Sequence, residues 1–161
     1  MAIVVCRVDD RLVHGQVVVG WGRPLEIERI ALVDHDVAGS EDEQELYRLA
    51  TPSGMTVEFL DPDQAPPRLE TLAAGRERVL VLTGSVDTMV QLARAAPRAV
   101  RSVTLGGVHD GPDRREYLRY VYLTEAELSE LKRLDAAGVR VMAQDLPGSR
   151  PVPVAGWTVR G

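Results

Sequence analysis

One short segment, Asp9-Asp10-Arg11-Leu12-Val13-His14-Gly15-Gln16, gathers two carboxylates, a guanidinium and an imidazole within six residues. The chemistry that fits is phosphoryl carriage on His14. A neutral imidazole is a nucleophile near neutral pH, since its ordinary pKa is about 6.5, and a phosphoryl group held by a labile P–N bond can be passed on. Such transfer depends on positioning and on stabilising charge at the phosphoryl oxygens. Arg11 can supply paired donors there, and Gly15 lets backbone amides approach closely. A helix beginning near Gln16 would turn its amino-terminal dipole toward the anion. Asp9 or Asp10 would orient the ring by accepting its other N–H. Any one of these residues alone reads more readily as an ordinary surface group; the cluster reverses that.

The elements that must position this segment alternate between short apolar runs and helix-like stretches. Ile3 to Val8 reads as a strand, so the cluster falls at its carboxyl end, where open α/β sheets bind ligands. Further strands are expected at Arg29 to Val33, Met55 to Leu60, Val79 to Leu82, Val100 to Leu105, Tyr117 to Leu123 and Val139 to Ala143. Val79 to Leu82 is continuously apolar, as buried parallel strands are. Ser40 with Glu43 and Thr124 with Glu127 have capping-box spacing. The first box opens a helix expected to carry Leu46, Leu49 and Ala50 on one face; the second opens one presenting Leu128, Leu131 and Leu134. Shorter helices are expected over Arg68 to Ala74 and from Val86 to Ala93. Gln16 to Trp21 is valine-rich and reads locally as a strand, with a buried helix as the alternative. The alternation predicts an α/β chain with a mainly parallel sheet covered on both faces, in one domain over 1–161 with a proline-rich tail at 146–161 that docks or frays.

Composition narrows the function classes. The 161 residues are 45% hydrophobic and 27% charged with a net charge of −5, the balance of a globular chain. Aromatics at 4% and the acidic balance speak against a nucleic-acid partner. No apolar run approaches the roughly 20 residues a membrane helix needs, and the amino-terminus lacks signal-peptide features; a cytoplasmic protein is expected. Cys6, the only cysteine, reads as a buried small hydrophobe. Lys132 stands alone against 18 arginines.

Other candidates are weaker. Thr83 and Ser85 follow the central strand and would help line a phosphate or substrate loop, although Ser85 also suits a helix N-cap. Gly106 and Gly107 form a tight turn or expose amides to phosphate. His109 is expected to be a solvated loop residue. His35 between Asp34 and Asp36 lacks metal-ligand spacing, so no metal is expected. Neither G-x-G-x-x-G nor G-x-x-x-x-G-K-S/T occurs, so no nucleotide cradle or other cofactor is expected.

Arg7-Val8-Asp9-Asp10-Arg11-Leu12-Val13-His14-Gly15-Gln16-Val17 resembles the signature R-I/V-D-D-R-L-I/V-H-G-Q-V of the IIB subunits of mannose/fructose/sorbose phosphotransferase systems. More loosely, Ala50-Thr51-Pro52-Ser53-Gly54 stands where that family has an A-P-P-G-like turn. Ser102-Val103-Thr104-Leu105-Gly106-Gly107-Val108 resembles its S-L/V-N-V/I-G-G-M segment. The resemblance implies a three-layer α/β/α sandwich and a helix, not a strand, over Gln16 to Trp21. It implies that His14 takes a phosphoryl group on Nδ1 from a phosphorylated IIA protein. Membrane IIC and IID subunits would then bring the sugar to a IIB subunit held at the membrane through them. The chain departs from the pattern at Thr83-Gly84-Ser85-Val86-Asp87, where N-P-x-D/E is usual, at Thr104 and Val108, and after the Gly-Gly turn, which bears on sugar specificity. Other readings of the same histidine are a regulatory phosphoacceptor without sugar transfer and a small-molecule-binding module.

Overall fold

The computed structural model describes residues 2–158. Its centre is a seven-stranded sheet formed by β1 (Ile3–Val8), β2 (Arg29–Val33), β3 (Thr56–Leu60), β4 (Val79–Thr83), β5 (Ser102–Leu105), β8 (Arg140–Ala143) and β9 (Val152–Pro153). The order is β3-β2-β4-β1-β5-β8-β9, parallel throughout except for β9, which runs antiparallel to β8. The chain leaves β1 toward β2 on one side and leaves β5 toward β8 on the other. The direction of winding therefore changes between β1 and β5, which opens a crevice at their carboxyl ends.

The strands bury both faces. Val79 and Val81 of β4 join Cys6, Val8 and Leu105 in one apolar layer with Leu69, Met89, Leu92, Leu128 and Leu131. These come from α4 (Ala65–Ala74), α5 (Val86–Ala95) and α6 (Glu125–Ala136). The intervening Leu80 and Leu82 point the other way, with Val13, Val17, Val18 and Trp21 against them, as the two-residue period of a strand requires. Each fully buried leucine contributes about 1.5–3 kcal/mol. This is the three-layer α/β/α sandwich expected.

Local signals account for several elements. At α6, Thr124 Oγ1 accepts from the Glu127 amide at 3.0 Å while Glu127 Oε1 accepts from the Thr124 amide at 2.8 Å, a complete capping box. At α3 (Glu41–Leu49) only half the box forms, Ser40 accepting from the Glu43 amide at 3.2 Å. The two prolines expected ahead of α4 lie inside its first turn, where their missing N–H groups cost nothing.

Two expectations are corrected. The face of α3 that docks is set by Gln44, bonded to Val37 and Ala38 of α2 (His35–Ala38), and by Tyr47, packed on the core. Leu46 and Leu49 lie off that face and are 66% and 75% exposed. Tyr117 to Leu123 is not a strand of the central sheet; it falls in a separate two-stranded antiparallel sheet of β6 (Arg115–Leu118) and β7 (Val121–Leu123). Gln16 to Trp21 is helical, as the resemblance implied: α1 (Gly15–Val17) runs into a π-helical turn over Val18–Gly22. As far as residue 158 the tail docks, with β9 on β8, Val154 buried, the Trp157 ring stacked on Tyr117 at 5.0 Å and Lys132 donating to the Trp157 carbonyl; 159–161 lie outside the described residues. Among the described residues no helix is long and apolar enough to cross a membrane.

Candidate functional site

The loop after β1 is tied to both flanking strands. The Asp9 amide donates to Thr83 O at 2.9 Å, and the Asp10 amide to Gly107 O at 2.8 Å. Leu12 holds a left-handed backbone with φ of 59°, although it is neither glycine nor asparagine. Such conformations cost about 1–3 kcal/mol and gather where surrounding structure enforces them, often at functional sites. Gly84 makes room for this one, since a Cβ there would lie 3.1 Å from the Leu12 side chain.

That loop delivers His14 as the N-cap of α1. Its ring Nδ1 accepts from the Gln16 amide at 3.2 Å, and its backbone carbonyl accepts from Val17 and Val18. Accepting an N–H requires a lone pair on Nδ1, so the ring proton sits on Nε2. Asp9 Oδ1 lies 3.4 Å from Nε2, though the contact falls short of ordinary hydrogen-bond geometry. The imidazole side chain is 21% exposed. The more nucleophilic nitrogen is thus Nδ1, at the start of a helix, with a carboxylate behind the ring.

Asp9 is fully buried and organises the site. Arg11 grips it in a fork, Nε to Oδ1 and Nη2 to Oδ2 both at 3.1 Å, and the Arg11 amide adds a bond at 3.2 Å. From below, Arg7 Nη2 reaches Oδ2 at 3.5 Å. Burial works to raise the Asp9 carboxyl pKa; the His14 ring, the Arg11 guanidinium and the Arg7 charge outweigh it and hold the group well below the usual carboxylate range. Arg11 is raised by its bond to Asp9. With its fork spent on Asp9, Arg11 keeps Nη1 outward, 3.3 Å from Gln16 Oε1, available to an anion.

Arg7 was read only as the first residue of the signature, yet it carries the site's foundation. It is completely buried, donating to Gln144 O at 2.8 Å and Asp145 O at 3.2 Å, with its guanidinium 4.5 Å from the Trp21 ring centre. Burial lowers its pKa, opposed by Asp9 and Asp145. A charged residue inside an apolar strand was the available signal, because arginine is almost never fully buried without a partner. Trp21 and Asp145 were also missed; Trp21 Nε1 donates to Asp145 O at 2.9 Å, and Asp145 accepts from the Gln16 side chain. Asp145 follows the last parallel strand, another carboxyl end at the crevice.

The glycine pair makes room for these guanidiniums. A Cβ on Gly106 would lie 2.3 Å from Arg7 Nη2, and one on Gly107 3.2 Å from both Arg11 Nε and Asp9 Oδ1. The Gly106 amide is spent on Val8 O at 2.7 Å. Thr83 donates its hydroxyl to Ser85 O; Ser85 caps α5, accepting from the Thr88 amide and bonding the Thr88 hydroxyl. Neither is among the residues walling the cleft beside the loop. Gly15 faces open space, with no atom within 4 Å of a Cβ built there.

Beside this loop lies a cleft of about 280 Å³, walled by Arg11, Gln16, Gly107, His109, Arg119 and Tyr122 among others. Asp10 does not face His14. Its Oδ2 accepts from the His109 amide at 2.8 Å and its Oδ1 lies 2.6 Å from His109 Nδ1, so of the two acidic residues Asp9 is the one beside the His14 ring. His35 pairs with Asp61 at 2.8 Å on another part of the surface.

Residues 3–157 match the family model for the "PTS system sorbose subfamily IIB component". The chain belongs to this family. It is 28% identical over 149 residues to the sorbose-specific EIIB component of Klebsiella pneumoniae, covering 90% of each chain. It is 26% identical to the mannose-specific EIIAB component of Escherichia coli K12, of which it spans 43%. Among solved structures, the IIBSor domain of the sorbose permease from Klebsiella pneumoniae superposes with a TM-score of 0.86 at 25% identity, over 96% of this chain and 94% of that one. The manxB structure from Thermoanaerobacter tengcongensis gives 0.82 at 28%, over 94% and 92%. This IIB component is therefore a phosphotransferase component of sugar uptake in the sorbose/mannose class.

Proposed function

We propose that this IIB component takes a phosphoryl group onto His14 Nδ1 from a phosphorylated IIA protein and gives it to a sugar delivered by IIC and IID membrane subunits. The single observation behind this reading is the setting of the His14 ring, with Nδ1 accepting from the Gln16 amide at 3.2 Å and an Asp9 carboxylate oxygen 3.4 Å from Nε2. In the loading step the Nδ1 lone pair attacks phosphorus, and the donor's P–N bond breaks with its electrons returning to the donor imidazole. The Gln16 amide, which now bonds that lone pair, becomes a donor to a phosphoryl oxygen, joined by Arg11 Nη1. Asp9 keeps Nε2 protonated and steadies the ring as charge develops.

The relatives act on sorbose, N-acetylgalactosamine, fructose and mannose by their names, and a sugar of that class is proposed here. The EIIAB relative joins a IIA part to its IIB part, which supports a IIA protein as the donor. Work on the cytoplasmic side, at the membrane through IIC and IID, follows from the same reading. A regulatory acceptor without sugar transfer is not favoured, since these relatives are sugar-specific components. The test is incubation with phosphorylated IIA and mass measurement. An acid-labile gain of about 80 daltons, the mass of one transferred phosphoryl unit, is expected in the native chain and absent in His14→Ala. A gain that persists in His14→Ala would sink the assignment.

A further inference from the structure

Transfer in two steps has unequal proton demands. Loading exchanges one P–N bond for another between imidazoles, and no proton has to leave an O–H group. Unloading onto a sugar breaks an O–H bond, so a base must take that proton, a task worth about 10²–10⁴-fold in rate. The groups around His14 are poorly placed to do it. Asp9 is buried, and its oxygens are engaged by Arg7 and Arg11 with the His14 ring beside them. Asp145 is bonded to Gln16.

His109 is different. Asp10 holds it at two points, through the main-chain amide at 2.8 Å and ring Nδ1 at 2.6 Å. A carboxylate on Nδ1 fixes the proton there and leaves a lone pair on Nε2, the arrangement by which a carboxylate makes histidine a general base. The side chain is 68% exposed, and it lines the same cleft as Arg11 and Gln16, the two residues that bond Asp9 and the His14 ring. Its loop is further pinned by Arg114, which donates to the His109 carbonyl at 2.7 Å. The other titratable groups on the cleft are Arg11, Arg119, Tyr120, Tyr122 and Asp145. Its 280 Å³ sits near the lower end of small-ligand sites, roughly 300–1,000 Å³. Tyrosine faces and guanidiniums suit a polyhydroxyl ligand that is acquiring a phosphate.

Resting on the phosphocarrier reading above, we infer that the Asp10–His109 pair is the base for the second transfer and that the cleft seats the acceptor sugar hydroxyl. The hydroxyl oxygen attacks phosphorus and the P–Nδ1 bond of His14 breaks, returning its electron pair to Nδ1. The hydroxyl proton goes to His109 Nε2. Asp10 stabilises the resulting imidazolium, which releases its proton to water.

The experiment separates the two steps. The chain is loaded from phosphorylated IIA and mixed with membrane vesicles carrying IIC and IID subunits. Mannose, fructose, sorbose and N-acetylgalactosamine are supplied in turn, and both loading and sugar-phosphate formation are timed. His109→Gln should slow sugar-phosphate formation by roughly 100-fold, with the loss confined to that step, and Asp10→Asn should slow it in the same direction. An unchanged unloading rate overturns the inference, and so does an equal loss in both steps, which would mark His109 as a support of the loop. A native chain that loads but serves none of the sugars also overturns it while leaving the His14 assignment standing; failure to load sinks the parent reading. Nitrogen NMR of the unphosphorylated chain gives an independent check. The inference requires a proton on His109 Nδ1 and a lone pair on Nε2, and the opposite tautomer refutes it.

Discussion

Among the described glycines, Gly106→Ala should be the most damaging change. The added Cβ would sit 2.3 Å from Arg7 Nη2, 2.5 Å from Cζ and 2.7 Å from Nε, where non-bonded heavy atoms prefer about 3.5–4.0 Å. The guanidinium must therefore move by about 1 Å, well inside repulsive distance. It has no room to do so. Arg7 is fully buried, and its bonds to Gln144 O, Asp145 O and Asp9 run from 2.8 to 3.5 Å, so such a shift breaks at least one of them. Overpacking costs about 1–3 kcal/mol and a lost hydrogen bond to a buried charge about 1.5–3 kcal/mol. The expected loss is about 2.5–6 kcal/mol, against a total stability of roughly 5–15 kcal/mol. For a chain of this size the melting temperature should fall by about 5–24 °C. Urea and thermal denaturation of Gly106→Ala, Arg7→Met and the double variant would form a cycle, and the two changes should couple strongly because they meet at one contact. A single variant within about 0.5 kcal/mol of the native chain, the range of a neutral surface change, would refute the placement of Arg7.

Further expectations follow from the same geometry. Arg11→Ala should slow loading of His14 by about 100-fold, the scale of one lost donor at a developing charge, while the fold survives because the side chain is 37% exposed; normal loading would remove Arg11 from the mechanism. Asp9 is held below its ordinary 3.8, so its contribution to stability is complete above about pH 4 and drains away as pH falls further. Asp9→Asn should therefore be less stable at neutral pH and show a flatter acid limb in urea midpoints; an unchanged limb would count against the buried charge cluster. Cys6 is buried, which pushes its thiol up to about 12, so alkylation near pH 8 should wait for unfolding, and rapid labelling of the native chain would contradict the packing of β1.

The sheet was legible because its strands are apolar runs bounded by turn residues, and Val79 to Leu82 announced the centre. The candidate loop could be singled out because Asp9, Arg11 and His14 crowd one carboxyl end. What escaped has physical causes. Gln16 to Trp21 reads locally as a strand, although the resemblance implies its helix, because the turn over Val18–Gly22 is π-helical, which breaks the 3.6-residue period a sequence reading looks for. Leu46 and Leu49 suggested a buried face, but a polar anchor, Gln44, and an aromatic one, Tyr47, set the docking of α3 instead. Asp145 meets Gln16 and Arg7, and His109 meets Asp10, only through contacts between distant parts of the chain. Asp9 and Asp10 are neighbours in sequence with opposite partners, and only the fold separates the one beside His14 from the one holding His109. Thr83 and Ser85 were placed at the right strand end, where their hydroxyls serve the start of α5.

The central claim is that the His14 ring presents Nδ1 as nucleophile and keeps its proton on Nε2 beside Asp9. Phosphorus–nitrogen coupling measured by NMR on the loaded, nitrogen-labelled chain reads the bonded nitrogen directly. The account predicts a phosphoryl group on Nδ1 with Nε2 protonated; a phosphoryl group on Nε2, or on any other side chain, would contradict it.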